Sequence, residues 1–233
     1  MAAEPQAERQ RAIDRGSTGR IEALSDGIYA IAMTLLIISL HAPDGSRNAA
    51  AALRHQGGPL LAFVISFVVL AVFWFGHRQQ FERLTHADHS ITWLCLLQLG
   101  LVCLTPFTAS LLGRFLTSRL AGLVYGTDLT AIGLLHWLIW CYATGRGQLI
   151  DRELPKDYLA HSRRLSAIPA AGYALATLTA VIYPWIAIGL FALNPLPFVT
   201  GTYYRALTRR RQNAITGKHT LARERASPSP RAR

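Results

Sequence analysis

The chain has 233 residues, of which 51% are hydrophobic and only 16% are charged. A soluble domain carries about 25% charged residues, so this composition excludes an ordinary soluble protein and indicates a membrane protein. The formal net charge of +11 raises the possibility of nucleic-acid binding, but the placement of the basic residues, given below, argues against it.

Residues 1–19 lack a sustained apolar stripe and are predicted to form a mobile cytoplasmic tail. The first predicted helix follows over residues 20–40, RIEALSDGIYAIAMTLLIISL. One side of this helix carries apolar residues at steps of three and four, which form a continuous stripe: Leu24, Ile28, Ile31, Leu35 and Ile38. The opposite side carries Glu22, Asp26, Tyr29 and Met33. We expect this opposite side to pack within its own subunit and the stripe to meet another partner.

Five further apolar segments predict five more membrane spans. They cover residues 59–75, then approximately residues 90–112, 120–143, 165–182 and 185–204, and the last is interrupted by Asn194-Pro195-Leu196-Pro197. Residues 205–233 are basic and rich in Arg, Ser and Pro, which predicts a disordered tail. The predicted fold is therefore an all-α polytopic membrane protein with six transmembrane helices at residues 20–204, between two cytoplasmic tails.

The basic residues are distributed unequally between the two sides of this predicted topology. Of the 24 Lys and Arg residues, the loops on the side opposite the termini contain Arg47, Arg54, Arg114 and Arg119 only. Cytoplasmic loops carry the excess of basic residues, so both termini are predicted to be cytoplasmic, in a multi-pass protein of the cell membrane. This asymmetry explains the net charge without nucleic acid. The basic tail is predicted to be a solvated segment that sets the topology, with contact to anionic lipid headgroups as the alternative.

Two motifs resemble those of a known family. Arg20, Leu24-Ser25-Asp26 and Ala30-Ile31-x-x-Thr34-Leu35 resemble the first-helix signature R-x-x-x-F-S-D, then A-I-x-x-T-L, of the transmembrane protein 175 family of potassium channels. Leu24 stands where the family usually has Phe. Trp74-x-x-His77 resembles the second-helix pattern of the same family. The resemblance implies a potassium-permeable cation channel that is not an enzyme, needs no cofactor, and in one-repeat prokaryotic members is a homotetramer.

The resemblance also implies roles for particular residues. The first helices would surround the four-fold axis, with Ile31 as the tightest apolar ring and Leu35 and Ile38 as further rings. Such a pore has no backbone-carbonyl filter, and it would admit potassium and other monovalent cations through a neck that blocks by dewetting. The pore helix would be supported by Arg20, Ser25, Asp26, Trp74 and His77. Thr34 would either bridge to a neighbouring helix or bond to its own helix.

Other polar residues keep two alternatives open. Asp128 and His136 lie two turns apart in the fourth span and predict either a structural polar contact or, together with Asp26, a proton-leak pathway or small secondary transporter. His86-x-x-His89 with Asp88 has helical spacing for a metal, but two His residues in a short loop are weak evidence, and we predict no metal site. Cys95, Cys103 and Cys141 lie in apolar segments and are predicted to be core residues. A non-conducting membrane scaffold is the other alternative.

Overall fold

The computed structural model describes residues 3–40, 56–145, 149–150 and 156–200. Their helices are α1 (Ala3–Leu35, continued by a 3-10 turn at Leu36–Ser39), α2 (Gly57–Phe81), α3 (His89–Arg114), α4 (Arg119–Gly145), α5 (Lys156–Ser166), α6 (Ile168–Ile182), α7 (Pro184–Leu193) and α8 (Leu196–Val199). Extended pairing among the described residues is limited to one isolated antiparallel bridge, between Leu84 and Ile150. The predicted all-α fold is confirmed.

Five helical stretches of the described residues are long and apolar enough to cross a membrane, as expected for spans one to five. They are Thr18–Ile38, Gly57–Phe81, His89–Arg114, Arg119–Gly145 and Tyr158–Ile182. The sixth predicted span is a shorter apolar segment, Pro184–Val199, and it is divided into α7 and α8. Pro195 and Pro197 lack the backbone N–H groups that a continuous helix needs. The predicted end of this span, residues 201–204, and the tail 205–233 lie outside the described residues.

Two predicted boundaries are wrong in secondary structure. Helix α1 begins at Ala3, whereas the sequence predicted that the first helix begins at residue 20, after a mobile tail. Ala, Glu, Gln and Arg have high helix propensity, and extending an existing helix avoids the cost of nucleation. Similarly, α5 at Lys156–Ser166 occupies the second half of the loop predicted between the fourth and fifth spans. Residues 146–148 and 151–155 of that loop lie outside the described residues.

Small residues bring the helices close together. Gly122, Gly126 and Gly133 lie on the side of α4 that faces α6. A Cβ atom at Gly122 would lie 2.9 Å from Cβ of Ala180, and one at Gly133 would lie 3.0 Å from Cα of Ala170. Small residues at such positions let membrane helices approach closely enough for van der Waals packing. Helix α1 packs against α2 and α3, so it lies at the side of this body and keeps one face free.

Candidate functional site

The α1 stripe lies largely on the free face of the helix. In the single chain, Ile31 is 60% exposed, Leu35 is 42% exposed and Ile38 is 61% exposed. Leu24 is also exposed, whereas Ile28 packs against the core. A stretch of exposed Ile and Leu side chains on one helix is a surface that needs an apolar partner, either lipid or protein.

The end of α1 differs from the continuous α-helix that the sequence predicted. The backbone changes to a 3-10 helix at Leu36–Ser39, where side chains three residues apart lie almost directly above one another. Ile38 therefore follows Leu35 on the same line. An α-helix advances about 100° per residue and a 3-10 helix about 120°, so Ile31, Leu35 and Ile38 lie within an arc of about 40°.

The buried face of α1 is offset from the face predicted by sequence. The fully buried side chains are Tyr29, Ala32 and Leu36, together with Ser25. They recur at steps of three and four, and the first three join the core that contains residues of α2 and α3. Of the four residues predicted to face inward, Tyr29 alone is fully buried, while Asp26 is exposed. A polar residue, Ser25, takes the inward position because it has a partner there.

That partner is His77 on α2. Ser25 Oγ lies 3.0 Å from His77 Nε2 and donates its own hydrogen to the carbonyl oxygen of Ile21 at 2.8 Å. A hydroxyl has one hydrogen to give, so His77 Nε2–H must be the donor to Ser25. The His77 ring also packs against Phe81, with ring centroids 4.5 Å apart. This contact connects the buried face of α1 to α2, and it requires a hydrogen on Nε2 of His77.

A second contact connects the same helices at the surface. Trp74 Nε1 donates to Asp26 Oδ1 at 2.8 Å, one helical turn from the Ser25–His77 pair on α2. Arg20 is exposed, and no bond from its side chain to the other four predicted members is found in the described part of the chain. The structure therefore brings together two separate pairs from the predicted group of five.

Of the two contacts predicted for Thr34, the structure contains the bond within its own helix. Its hydroxyl donates to the carbonyl oxygen of Ile31 at 2.8 Å, within the same helix. The side chain is exposed beside the stripe. Its donor is therefore satisfied in the single chain, and the oxygen retains acceptor capacity toward a neighbouring helix.

Asp128 and His136 are both buried, but each has its own partners. Asp128 Oδ2 accepts from the hydroxyl groups of Thr105 and Thr108 on α3, both at 3.0 Å. His136 Nε2 lies 3.0 Å from Nε2 of Gln80 on α2. No hydrogen bond joins Asp128 to His136 in the described residues, which favours a structural role for each side chain over a shared proton pathway. The sequence analysis did not select Thr105, Thr108 or Gln80, although two Thr residues three positions apart on a membrane helix signal a polar partner.

Residues of the predicted loop with two His residues cap and brace α3. Asp88 Oδ1 accepts from the backbone N–H of Ile91 at 2.8 Å, and Asp88 Oδ2 accepts from the hydroxyl of Tyr142 at 2.7 Å. His89 Nε2 accepts from Trp93 Nε1 at 2.8 Å. Among the described residues, no group of three or more His, Cys, Asp or Glu side chains has the arrangement of a metal site.

Comparisons with known proteins agree with this arrangement of helices. The model of the family described as "Endosomal/lysosomal potassium channel TMEM175" matches residues 20–106. A potassium channel of Streptomyces collinus is 33% identical over 164 residues, which cover 68% of this chain and 80% of that protein. The crystal structure of a lysosomal potassium-selective channel TMEM175 homologue from Chamaesiphon minutus has a TM-score of 0.71 and 27% identity, over 79% of this chain and 97% of that chain.

A vertebrate protein is similar over a smaller part of its length. The protein named endosomal/lysosomal proton channel TMEM175 of Gallus gallus is 28% identical over 194 residues. The match covers 77% of this chain and 36% of the chicken protein.

Proposed function

Because this chain belongs to the TMEM175 family of potassium channels, we propose that α1 of each subunit lines its conduction path. The comparisons confirm the family that two short motifs indicated. The protein is a potassium channel of the membrane, not an enzyme. The proposal concerns the path itself: four copies of the chain place their α1 helices around one axis, and potassium and other monovalent cations pass between them.

The exposed α1 stripe carries this proposal. One helix cannot enclose a pore, whereas four copies of a helix with one free apolar face can meet around an axis. Ile31 and Ile38, each about three-fifths exposed in the single chain, would then become ring residues, with Leu35 between them. The alignment of these three side chains within about 40° suits rings stacked along a single axis.

The chemistry of such a neck is that of a dewetting barrier. The sequence contains no T-V-G-Y-G segment, so backbone carbonyls of that kind do not replace the hydration shell of the ion. A hydrated cation would instead cross a short apolar constriction, tightest at Ile31, which conducts when it widens or becomes wetted. Thr34 would lie beside this constriction, with a hydroxyl oxygen available to the neighbouring subunit.

The test compares three substitutions on one helix in reconstituted liposomes. Ile31→Asn adds a polar amide to each subunit, so potassium and sodium flux should both rise and discrimination between them should fall. Leu35→Asn should act in the same direction but more weakly. Ile37→Asn is the matched control, because Ile37 is 51% exposed but lies off the line of the stripe.

Flux is measured at matched amounts of assembled protein, with rubidium, sodium and protons as comparison ions. If Ile37→Asn alone changes flux or selectivity, the helix is rotated relative to this proposal. If none of the three substitutions matters in well-assembled protein, α1 does not line a pore, and the scaffold alternative is favoured.

Proton permeation is the second candidate function, because a relative that this chain resembles is named a proton channel. A relay through Asp128 and His136 has little support, since their hydrogen bonds go to different partners. A proton current would more simply use the same neck when it is wetted. Proton flux, measured in the same liposome assay, separates a relay from passage through the neck. Loss of proton flux in Asp128→Asn with potassium flux intact would favour a separate relay.

The location and orientation are proposed from the charge distribution. The excess of basic residues in the predicted loops and tails on the side of the termini supports a cytoplasmic location for both termini. Membrane lipid is therefore the surrounding partner of the tetramer.

A further inference from the structure

A cavity of about 50 Å³ is lined by residues of α2, α4, α5, α6 and α8 and of the segments that adjoin them, and by no residue of α1. It lies at the end of the molecule where α2 and α4 end and α5 begins. Its wall is polar on the side toward the helix ends and aromatic on the side toward the membrane interior. The residues used below are Gln79, Gln80, Arg83, His136, Ser166 and Phe198.

The polar side of the cavity contains buried groups without partners. Gln80 is 5% exposed and His136 is 9% exposed, and Gln80 Oε1 and His136 Nδ1 have no hydrogen-bond partner among the described residues. Buried polar atoms are nearly always paired, to protein, water or a ligand. Both residues line the cavity, so the polar side of its wall is made in part by side chains whose hydrogen-bonding capacity is incompletely used.

The same side carries a cation. Arg83 lies two residues beyond the end of α2, and its guanidinium stacks over the Trp140 ring, 5.8 Å from the ring centroid. No carboxylate within the described residues pairs with Arg83, whereas Arg78 on α2 pairs with Glu82 at 3.1 Å. A guanidinium that rests on an aromatic face retains its N–H donors for an anion.

A second part of the lining contributes a hydroxyl. Ser166 on α5 lines the cavity, and its Oγ donates its hydrogen to the carbonyl oxygen of Arg163 at 2.9 Å, so the oxygen keeps acceptor capacity. The lining thus combines the Arg83 cation with the side chains of Gln79 and Gln80 and with a hydroxyl oxygen of α5. A ligand group that is both anionic and rich in hydroxyls would match it.

An apolar groove of about 390 Å³ continues from the cavity along the outer side of α2. The cavity and the groove share Val72 and Phe198, and the remainder of the groove is lined by Phe, Val and Ala side chains. A soluble anion gains no free energy from contact with such a surface, whereas an acyl chain buries apolar area against it.

We infer that this composite site binds an anionic phospholipid whose headgroup carries hydroxyls, of the phosphatidylglycerol type. The phosphate lies at Arg83 and Gln79, the headgroup hydroxyls reach Ser166 and the inner polar wall, and an acyl chain follows the groove past Val72. With the orientation proposed above, the lipid belongs to the cytoplasmic leaflet. The site is independent of the proposed conduction path, because no residue of α1 lines it.

The test is native mass spectrometry of the delipidated, assembled full-length protein with added lipid. In the unmodified protein, phosphatidylglycerol should bind about tenfold more tightly than phosphatidylcholine with the same acyl chains. Arg83→Gln should remove most of this preference, and Arg78→Gln, which changes an exposed cation near the end of α2, should not. Val72→Trp should block the junction of cavity and groove and weaken both lipids, whereas Val64→Trp on the same helix should weaken neither.

Several results would overturn the inference. Equal binding of the two lipids by the unmodified protein needs no variant and would show that no headgroup site exists. Equal losses in Arg83→Gln and Arg78→Gln would indicate general attraction to a basic surface. Displacement of the lipid by millimolar inorganic phosphate would indicate a site for a soluble anion, and unaltered binding in Val72→Trp would exclude the groove as the place of the acyl chain.

Discussion

The buried hydrogen bond between Ser25 and His77 should be worth more to the protein than the exposed one between Trp74 and Asp26. In Ser25→Ala, the buried His77 Nε2–H loses its acceptor, since the Ser25 oxygen at 3.0 Å is the partner that it has. An unsatisfied buried donor costs about 1–3 kcal/mol of stability. His77→Phe should cost less than Ser25→Ala, because the Ser25 hydroxyl remains bonded to the Ile21 carbonyl and a Phe ring keeps the contact with Phe81.

This asymmetry predicts rescue in the double variant. When both partners are replaced by apolar groups, the penalty of the unpaired donor disappears. Ser25→Ala/His77→Phe should therefore be more stable than Ser25→Ala by about 1 kcal/mol, a coupling within the range known for adjacent residues. The measurement is equilibrium unfolding in mixed detergent micelles, followed by tryptophan fluorescence, with the amount of assembled protein as a second readout.

Asp26→Ala provides the comparison within the same helix. Its contact with Trp74 is exposed, so the loss should be below about 1 kcal/mol, with less assembled protein but no change in selectivity. The reasoning would be refuted if Ser25→Ala and His77→Phe had additive effects, or if His77→Phe were the more damaging single change. Altered preference for potassium over sodium in well-assembled Asp26→Ala would place Asp26 in the conduction path.

Two further predictions concern the fourth span and the topology. Asp128→Asn keeps an oxygen acceptor for its two Thr partners and should leave potassium flux unchanged. Asp128→Leu loses two membrane hydrogen bonds of about 0.6 kcal/mol each, so it should lower the unfolding free energy by about 1 kcal/mol. Equal stability of the two variants would contradict the structural role. Ser46→Cys should react with an impermeant thiol reagent added to intact cells and Lys156→Cys should not, and the reverse pattern would invert the proposed topology.

The sequence by itself determined the class of the protein and most of its spans. Long apolar segments with few charges have no stable place in water, and a continuous segment of this kind can satisfy its backbone in lipid only as a helix. The stripe of Ile31, Leu35 and Ile38 was likewise readable, because helical periodicity puts residues three and four apart on one face. The family followed from two short motifs of residue types at fixed spacing.

Only the tertiary structure decided which face of α1 turns inward. Periodicity alone offered Glu22, Asp26, Tyr29 and Met33, but the packed face runs through Ser25, Tyr29, Ala32 and Leu36. A serine can be buried here because a histidine 52 positions later in the chain reaches its oxygen. The family resemblance grouped these two residues, but periodicity within one helix does not report such a contact. For the same reason, the partners of Asp128 became visible only after α3 and α4 were placed side by side.

The structure also decided where regular helices begin and end. Whether residues 3–19 continue α1 depends on the stability of the helix that they extend, and not on an apolar stripe of their own. The cavity at Arg83 illustrates the same limit at the level of a site. Its lining comes from helices that are far apart in the chain, so the Arg83 guanidinium, the side chains of Gln80 and His136 and an apolar groove become neighbours only through folding.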